Sequence, residues 1–191
     1  MAINNSSPPK IPDFKAFFKS HRKSLARSIG TEAVRHFKEN FRQEGFVNNG
    51  LQKWKDVKRR DPASPWYGFE YKGEKRADYP VKRGKRGQRL KSTKRLNFSP
   101  AATRRKILTG SSGELQRSLA YRVGQTSTDG ISIAITSDKP YAAVQNEGGT
   151  IRVFGKAPAT LPARPFVGYS KELNDKIARI IDNEFQKFLN K

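Results

Sequence analysis

Five apolar residues, Leu25, Ile29, Ala33, Phe37 and Phe41, recur at every fourth position near the start of the chain. That period lines them along one face of an α-helix, and Val34 widens the stripe. The spacing predicts one long helix over 13–44. Pro12 stands where a first helical turn tolerates proline, and Asp13 complements the positive end of the helix dipole. Gly45 follows the last stripe residue in the position of a C-cap. Gly30 interrupts the pattern at a cost of about 1 kcal/mol relative to alanine. Either a neighbouring element approaches closely there or the glycine is simply tolerated. A second stripe closes the chain: Leu173, Ile177, Ile180, Ile181, Phe185, Phe188 and Leu189. Ser170 caps it and Glu172 occupies its first turn.

Between them the pattern is short and mixed. A turn-rich link, Asn48-Asn49-Gly50, leads to Trp54. A tryptophan alone among charges closes one end of a core or serves an interface. After Ile107-Leu108-Thr109-Gly110, Ser111 or Ser112 is placed to cap a short helix through Glu114, Leu115 and Ser118. Leu119 to Val123 alternates like a strand, and Ile131, Ile133 and Ile135 do so more clearly. Thr128-Asp129-Gly130 turns one into the other as an antiparallel hairpin. Pro140 to Glu147 reads as a short helix, with Tyr141 serving the core, packed against the sheet with its hydroxyl at the rim. Gly148-Gly149 supplies positive φ at the helix end; no Walker-type lysine follows it to make a phosphate cradle. Thr150 to Phe154 is another strand, and Gly155 to Pro165 is extended and proline-rich. The fold class expected is α+β: a long N-terminal helix, a small antiparallel β-sheet and a C-terminal amphipathic helix. Residues 1–12 read as an extended tail, and 13–191 as one domain interrupted by a basic arm at about 61–106.

The arm carries the charge. The 191 residues hold 39 Lys+Arg against 17 Asp+Glu, a formal net charge of +22. Hydrophobic residues are 35% of the chain, below the roughly 45–50% of globular domains, so part of the chain lies outside the core. Asp61 to Asn97 contains Pro62, Pro65, Pro80, Gly68, Gly73, Gly84 and Gly87 and no sustained apolar period. Between Lys72 and Lys106 there are 14 Lys/Arg and only Glu74 and Asp78 as acids. Trp66, Tyr67, Phe69, Tyr71, Tyr79 and Phe98 are interleaved, which a purely solvated linker lacks. Lys82, Arg83, Lys85, Arg86, Arg89, Lys91, Lys94 and Arg95 form the cluster proposed to meet a polyanion. DNA would feel it as a sequence-independent attraction, an acidic protein as a docking register; a solvated loop is the third reading.

Reaction chemistry finds little support. There is no cysteine, so disulfides and thiolate sites are excluded. His21 and His36 lie fifteen apart and cannot form an i, i+4 metal pair. Glu32, Glu39, Glu44 and Asp56 sit among cations and read as solvated helix faces, without the clustered carboxylates a metal-dependent nuclease needs. No cofactor or metal site is implied. No run approaches the roughly 20 apolar residues of a membrane span.

Five pieces in order carry a resemblance. They are Asn40-Phe41-Arg42-Gln43-Glu44-Gly45 with Trp54, then Leu108-Thr109-Gly110 with Leu115 and Ser118, then Pro140-Tyr141-Ala142-Ala143, then Gly148-Gly149, then Pro162-Ala163-Arg164-Pro165-Phe166. The series resembles the phage virion morphogenesis (tail completion) family of Mu-like and related tailed phages, over about 25–190 with 61–100 departing. That resemblance implies a structural virion protein at the head–tail junction, not an enzyme. It implies a homo-oligomeric ring, of six copies, between connector and tail. Implied partners are head–tail connector or adaptor proteins, tail tube or tail terminator proteins, and packaged DNA in the lumen. Within such a ring a proline-stiffened segment reaches a neighbour at low entropic cost. Phe154, Pro162, Arg164, Pro165 and Phe166 are the interface candidates, with the two prolines merely turning the chain as the other reading. The alternative function is a free, sequence-independent nucleic-acid-binding basic protein.

Overall fold

Asp13 opens the first helix. Its carboxylate accepts from the backbone N–H groups of Lys15 and Ala16 at 2.9 and 3.1 Å, satisfying two of the donors every helix start leaves orphaned. The computed structural model describes residues 13–70, 82–83, 89–90, 98–110, 112–127, 130–153 and 157–190; the expected tail at 1–12 lies outside them. Helix α1 runs over Phe14–Gln43. Leu25, Ala33, Phe37 and Phe41 are buried and Ile29 is half-buried, as the stripe requires.

The helix ends one residue earlier than its glycine. Glu44, at φ 53°, is the left-handed C-cap, and Gly45 already belongs to a strand. Strand β1 (Gly45–Val47) pairs antiparallel with β2 (Leu51–Lys53) around Asn49 and Gly50, both at positive φ. A Cβ on Gly45 would fall 2.5 Å from the carbonyl oxygen of Gln52. The glycine is therefore there for close strand approach, and the turn-rich link is a hairpin.

Strands β3 (Lys82–Arg83) and β4 (Arg89–Leu90) pair within the basic arm. Helix α2 (Pro100–Arg104) follows, then α3 (Glu114–Ser118). The cap of α3 is Gly113 at φ 65°, with no side-chain hydrogen bond, rather than Ser112; Ser111 lies outside the described residues. Strand β5 (Ala120–Ser127) pairs with β6 (Gly130–Thr136), the expected hairpin. Helix α4 (Ala142–Glu147) ends at Gly148 and Gly149, at φ 77° and 142°. Strand β7 (Gly149–Val153) pairs with β8 (Ala157–Leu161), so the proline-rich segment supplies a strand instead of only an extended link. Helix α5 (Lys171–Leu189) has Ser170 as N-cap, its hydroxyl accepting from the N–H of Leu173. The fold is mixed α+β. Among the described residues its antiparallel strands come as four two-stranded ladders.

The core gathers where α1 ends. Phe37, Phe41, Phe46, Trp54, Ile107, Leu115, Leu119, Phe166 and Leu173 form one cluster. Trp54 is buried edge-on against Phe41 at 5.7 Å, which fits its core reading. Helices α1 and α5 run antiparallel. Phe14 stacks on Phe185 at 4.5 Å at one end, and Lys176 pairs with Glu32 at 3.2 Å towards the other. The α5 stripe is only partly covered: Leu173 is buried, Ile177 to Phe188 are half-buried, and Leu189 is exposed. Glu32 is buried, contrary to its reading as a solvated face, because Arg35 and Lys176 both pair with it.

Gly30 is explained by contact. An added Cβ would lie 2.4 Å from the Tyr121 ring, where β5 crosses α1. Helix propensity alone makes Gly30→Ala stabilising by about 1 kcal/mol. Overpacking reverses the sign, and we expect a net loss of about 1–3 kcal/mol in urea unfolding. Stabilisation by the alanine would contradict the packing of Tyr121.

His36 is buried on α1, facing Glu172 and Lys176 of α5 and Glu32 of its own helix. Burial first, then the Lys176 ammonium, pushes its pKa below the ordinary 6.5; Glu172, Glu32 and the backbone of Val47 act the other way. The unfolded imidazole takes up a proton as pH falls below 6.5 while the folded one resists, so stability drops on acidification through that window. The Glu44 carboxylate, held below 4.5, contributes a loss only at lower pH. Melting temperature is expected to fall between pH 7 and about 5.5, and His36→Leu to flatten that fall. An unchanged slope in the variant would show that another group titrates there.

Candidate functional site

The chain between β8 and α5 has no repetitive structure over 162–170, so its backbone groups need partners from elsewhere. Four residues supply them. The Arg164 N–H donates to the Gln145 carbonyl at 3.0 Å. Asn146 Oδ1 on α4 accepts from both Phe166 N–H and Val167 N–H, at 2.9 and 3.0 Å. Asn40 on α1 is fully buried; its Nδ2 donates to the Phe166 carbonyl at 3.1 Å and its Oδ1 accepts from Val47 N–H at 3.2 Å. Trp54 Nε1 donates to the Pro165 carbonyl at 2.7 Å. This strap lies directly on α4's end, for a Cβ on Gly148 would stand 2.7 Å from the Ala163 nitrogen.

Of the interface candidates, Arg164 and Phe166 are turned inward. Arg164 is 6% exposed, and its guanidinium donates to the carbonyls of Lys55 and Asp56 at 3.1 and 3.4 Å. Burial lowers its pKa, with Asp56 opposing. Phe166 is 2% exposed and packs on Phe41 at 5.1 Å. Pro165 is exposed and Pro162 half-buried. Phe154 lies outside the described residues. The strap thus brings Arg164, Pro165 and Phe166 together with Asn40, Trp54 and Asn146.

A second cluster fixes the base of the basic arm. Phe69 and Phe98 form an antiparallel bridge, their rings 5.4 Å apart, and Trp66 stands edge-on to Phe69 at 5.1 Å. Ser99 N–H donates to the Gly68 carbonyl and Gly68 N–H to that of Arg59, both at 2.8 Å. Two consecutive arginines bind the returning chain. Arg59 donates to the carbonyls of Ala102, Arg105 and Lys106 at 2.8–3.0 Å. Arg60 pairs with Glu44 at 2.5 Å and donates to Arg105 O at 2.8 Å. Glu44 also accepts from Ile107 N–H at 2.6 Å. Burial would raise the Glu44 pKa, but Arg60 and that N–H hold it below the usual carboxylate value. Arg105 pairs with Glu70 at 2.5 Å. Glu44 is therefore a structural hub and not a solvated face. Of the arm cations, Lys82, Arg83 and Arg89 fall in the short β3–β4 ladder, while Lys85, Arg86, Lys91, Lys94 and Arg95 lie outside the described residues.

Strap and arm base face each other across an open cleft of about 330 Å³, lined by Arg59, Leu108, Thr109, Glu114, Tyr141 and Arg164 among others. Tyr141 lines the cleft and is 40% exposed, so it does not serve the core as expected. The two guanidiniums in the cleft already serve backbone carbonyls, so neither is poised for a substrate. Among the described residues no group of three His, Cys, Asp or Glu is placed to hold a metal ion, and no helix is long and apolar enough to cross a membrane.

The family model described as the phage virion morphogenesis family matches residues 80–186. That is more than half of the chain, and the chain belongs to this family. Its work is virion and tail assembly, a structural role rather than a catalytic one. No curated protein and no solved structure matches the chain. The match differs in extent from the resemblance read off the residues. It starts inside the arm, at a stretch set aside as departing, and leaves out α1.

Asn40 tests the strap. Asn40→Ala strands the Phe166 carbonyl and the Val47 N–H inside the core, and we expect a loss of about 2–4 kcal/mol in urea unfolding. Glu39→Ala, one position away and paired with Arg42 on the surface, is expected to change stability by less than about 0.5 kcal/mol. Equal effects of the two would remove Asn40 from the centre of the account.

Proposed function

We propose that this family member completes the head–tail junction of a tailed phage, as a homo-oligomeric ring between connector and tail. The family match over 80–186 carries the reading; it takes in the returning half of the basic arm and the strap itself, though not α1 and Trp54 that hold the strap. The body supports it as a rigid mount. Its arm departs and returns through one bridge, Phe69 with Phe98, braced by Arg59, Arg60 and Arg105. The base of the arm is thereby fixed to the body, and electrostatic attraction orients partners over about a Debye length. Connector, adaptor, tail tube and tail terminator proteins are the protein partners of this reading, and packaged DNA is the polyanion in the lumen. Cations meeting an acidic ring surface fix its register; cations lining the conduit would retain DNA that must pass. Protein docking is therefore the reading preferred for most of the arm.

An amber mutation in the gene should leave filled heads and separate tails in lysates, with the chain present in finished particles at a fixed copy number. Exchanging Lys82, Arg83, Lys85, Arg86, Arg89, Lys91, Lys94 and Arg95 for Gln should give the same unjoined particles while the purified variant keeps its melting temperature. Virions that lack the chain altogether would overturn the reading. A nucleic-acid-binding module would show itself differently: the isolated chain would bind duplex DNA with an affinity falling steeply with salt, by about −0.9 per phosphate in log–log slope.

A further inference from the structure

The first half of α1 carries cations without acids. Lys15, Lys19, Arg22, Lys23 and Arg27 fall between Phe14 and Thr31, and no Asp or Glu does. In the second half Arg35 and Arg42 each find a glutamate three positions back, Glu32 and Glu39. Lys15, Lys19 and Arg22 recur at i, i+4 and i+7, which places them on one face of the helix. That face borders an open groove of about 340 Å³, where α1 lies beside Gly130 and Ile131 at the start of β6. Ala16, Phe18 and Ile131 supply its apolar lining, and Phe18 and Ile131 are half-buried. Its one acid, Asp13, is engaged as the cap of α1. Among the described residues the side chains of Lys15, Lys19 and Arg22 have no ion pair and no hydrogen bond. Lys15 moreover stands in the first helical turn, where the dipole favours an anion over a cation.

We propose that this groove receives an acidic segment of a partner protein, its carboxylates on Lys15, Lys19 and Arg22 and an apolar side chain against Phe18 and Ile131. The lining decides the occupant. A second copy of the chain brings a formal +22 of its own and is repelled. The phosphates of a duplex would answer the cations but gain nothing from Phe18 and Ile131. An acidic segment with an apolar residue uses both parts: opposite charge steers it and sets its register, and burial of the apolar side chain holds it. The site is separate from the basic arm, and its α1 side lies outside the family match. It goes beyond the junction reading above and requires neither the arm nor ring closure.

Fluorescence anisotropy on the purified full chain tests this with two short dye-labelled peptides of equal charge. One consists of glutamates alone and the other has leucines at its centre; a labelled DNA duplex is the third probe. The leucine-bearing peptide is expected to bind the tighter, both to the unmodified chain and to the chain with the eight arm cations exchanged for Gln. Lys15→Gln, Lys19→Gln and Arg22→Gln in one chain should weaken that peptide about tenfold, as the loss of three exposed ion pairs implies. Ile131→Thr, which keeps every charge, should weaken it severalfold and leave the all-glutamate peptide unchanged. Melting temperatures check that both variants fold. Equal affinity for the two peptides, or no binding of either, would overturn the proposal. So would a leucine preference that survives both groove variants, which would place the segment elsewhere on the chain. A duplex that binds more tightly than the leucine-bearing peptide and loses as much in the triple variant would overturn it in favour of nucleic acid. None of these outcomes requires copies to associate, so the ring reading stands or falls separately, on the particles.

Discussion

A buried carboxamide, Asn40, is the contact on which the rest of the structure depends. It projects from the last turns of the long helix and bonds in two directions, to β1 through Val47 and to the strap through Phe166. Each bond would be worth about 1 kcal/mol in exchange for water, but the groups it satisfies are inside the core, where an unpaired carbonyl or N–H costs more. Asn146 and Trp54 hold the same strap from α4 and from the chain after β2. The aromatic core forms around that crossing: Phe41 touches both Trp54 and Phe166. Elements more than 100 positions apart in sequence thereby become one body.

That body determines what the arm can do. Arg59 and Arg60 spend their donors on the chain returning from the excursion, and Glu44 receives both Arg60 and the N–H of Ile107. The base of the arm is therefore part of the same interior as the end of α1. On the reading proposed above, a partner that meets the arm would not have to order its root as well.

The sequence made the helices legible because their signal is periodic and local. α1 and α5 follow from the spacing of Leu25 to Phe41 and Leu173 to Phe188, and Ser170 is the cap it resembles. The β5–β6 hairpin is readable from the alternating isoleucines. What stayed hidden is long-range. Asn40 has no periodic signal, and its partner is 126 positions away. Arg164 looks like an interface donor until its carbonyl partners near Trp54 are known. Glu44 looks solvated among cations, although those cations make it a hub. Gly45 resembles a C-cap because capping and close strand approach both select glycine, and only the nearby Gln52 carbonyl separates them. Pro158 made a strand look like a linker, since edge strands tolerate proline.

The most direct measurement of this account is native-state amide hydrogen exchange at the strap. The N–H groups of Val47, Arg164, Phe166 and Val167 donate to Asn40, Gln145 and Asn146. If the crossing holds the body together, these four open only with global unfolding and share its free energy and denaturant dependence with the core amides of α1. If they exchange in a lower-energy opening while α1 stays protected, the strap is a peripheral loop, and the structure hangs together some other way.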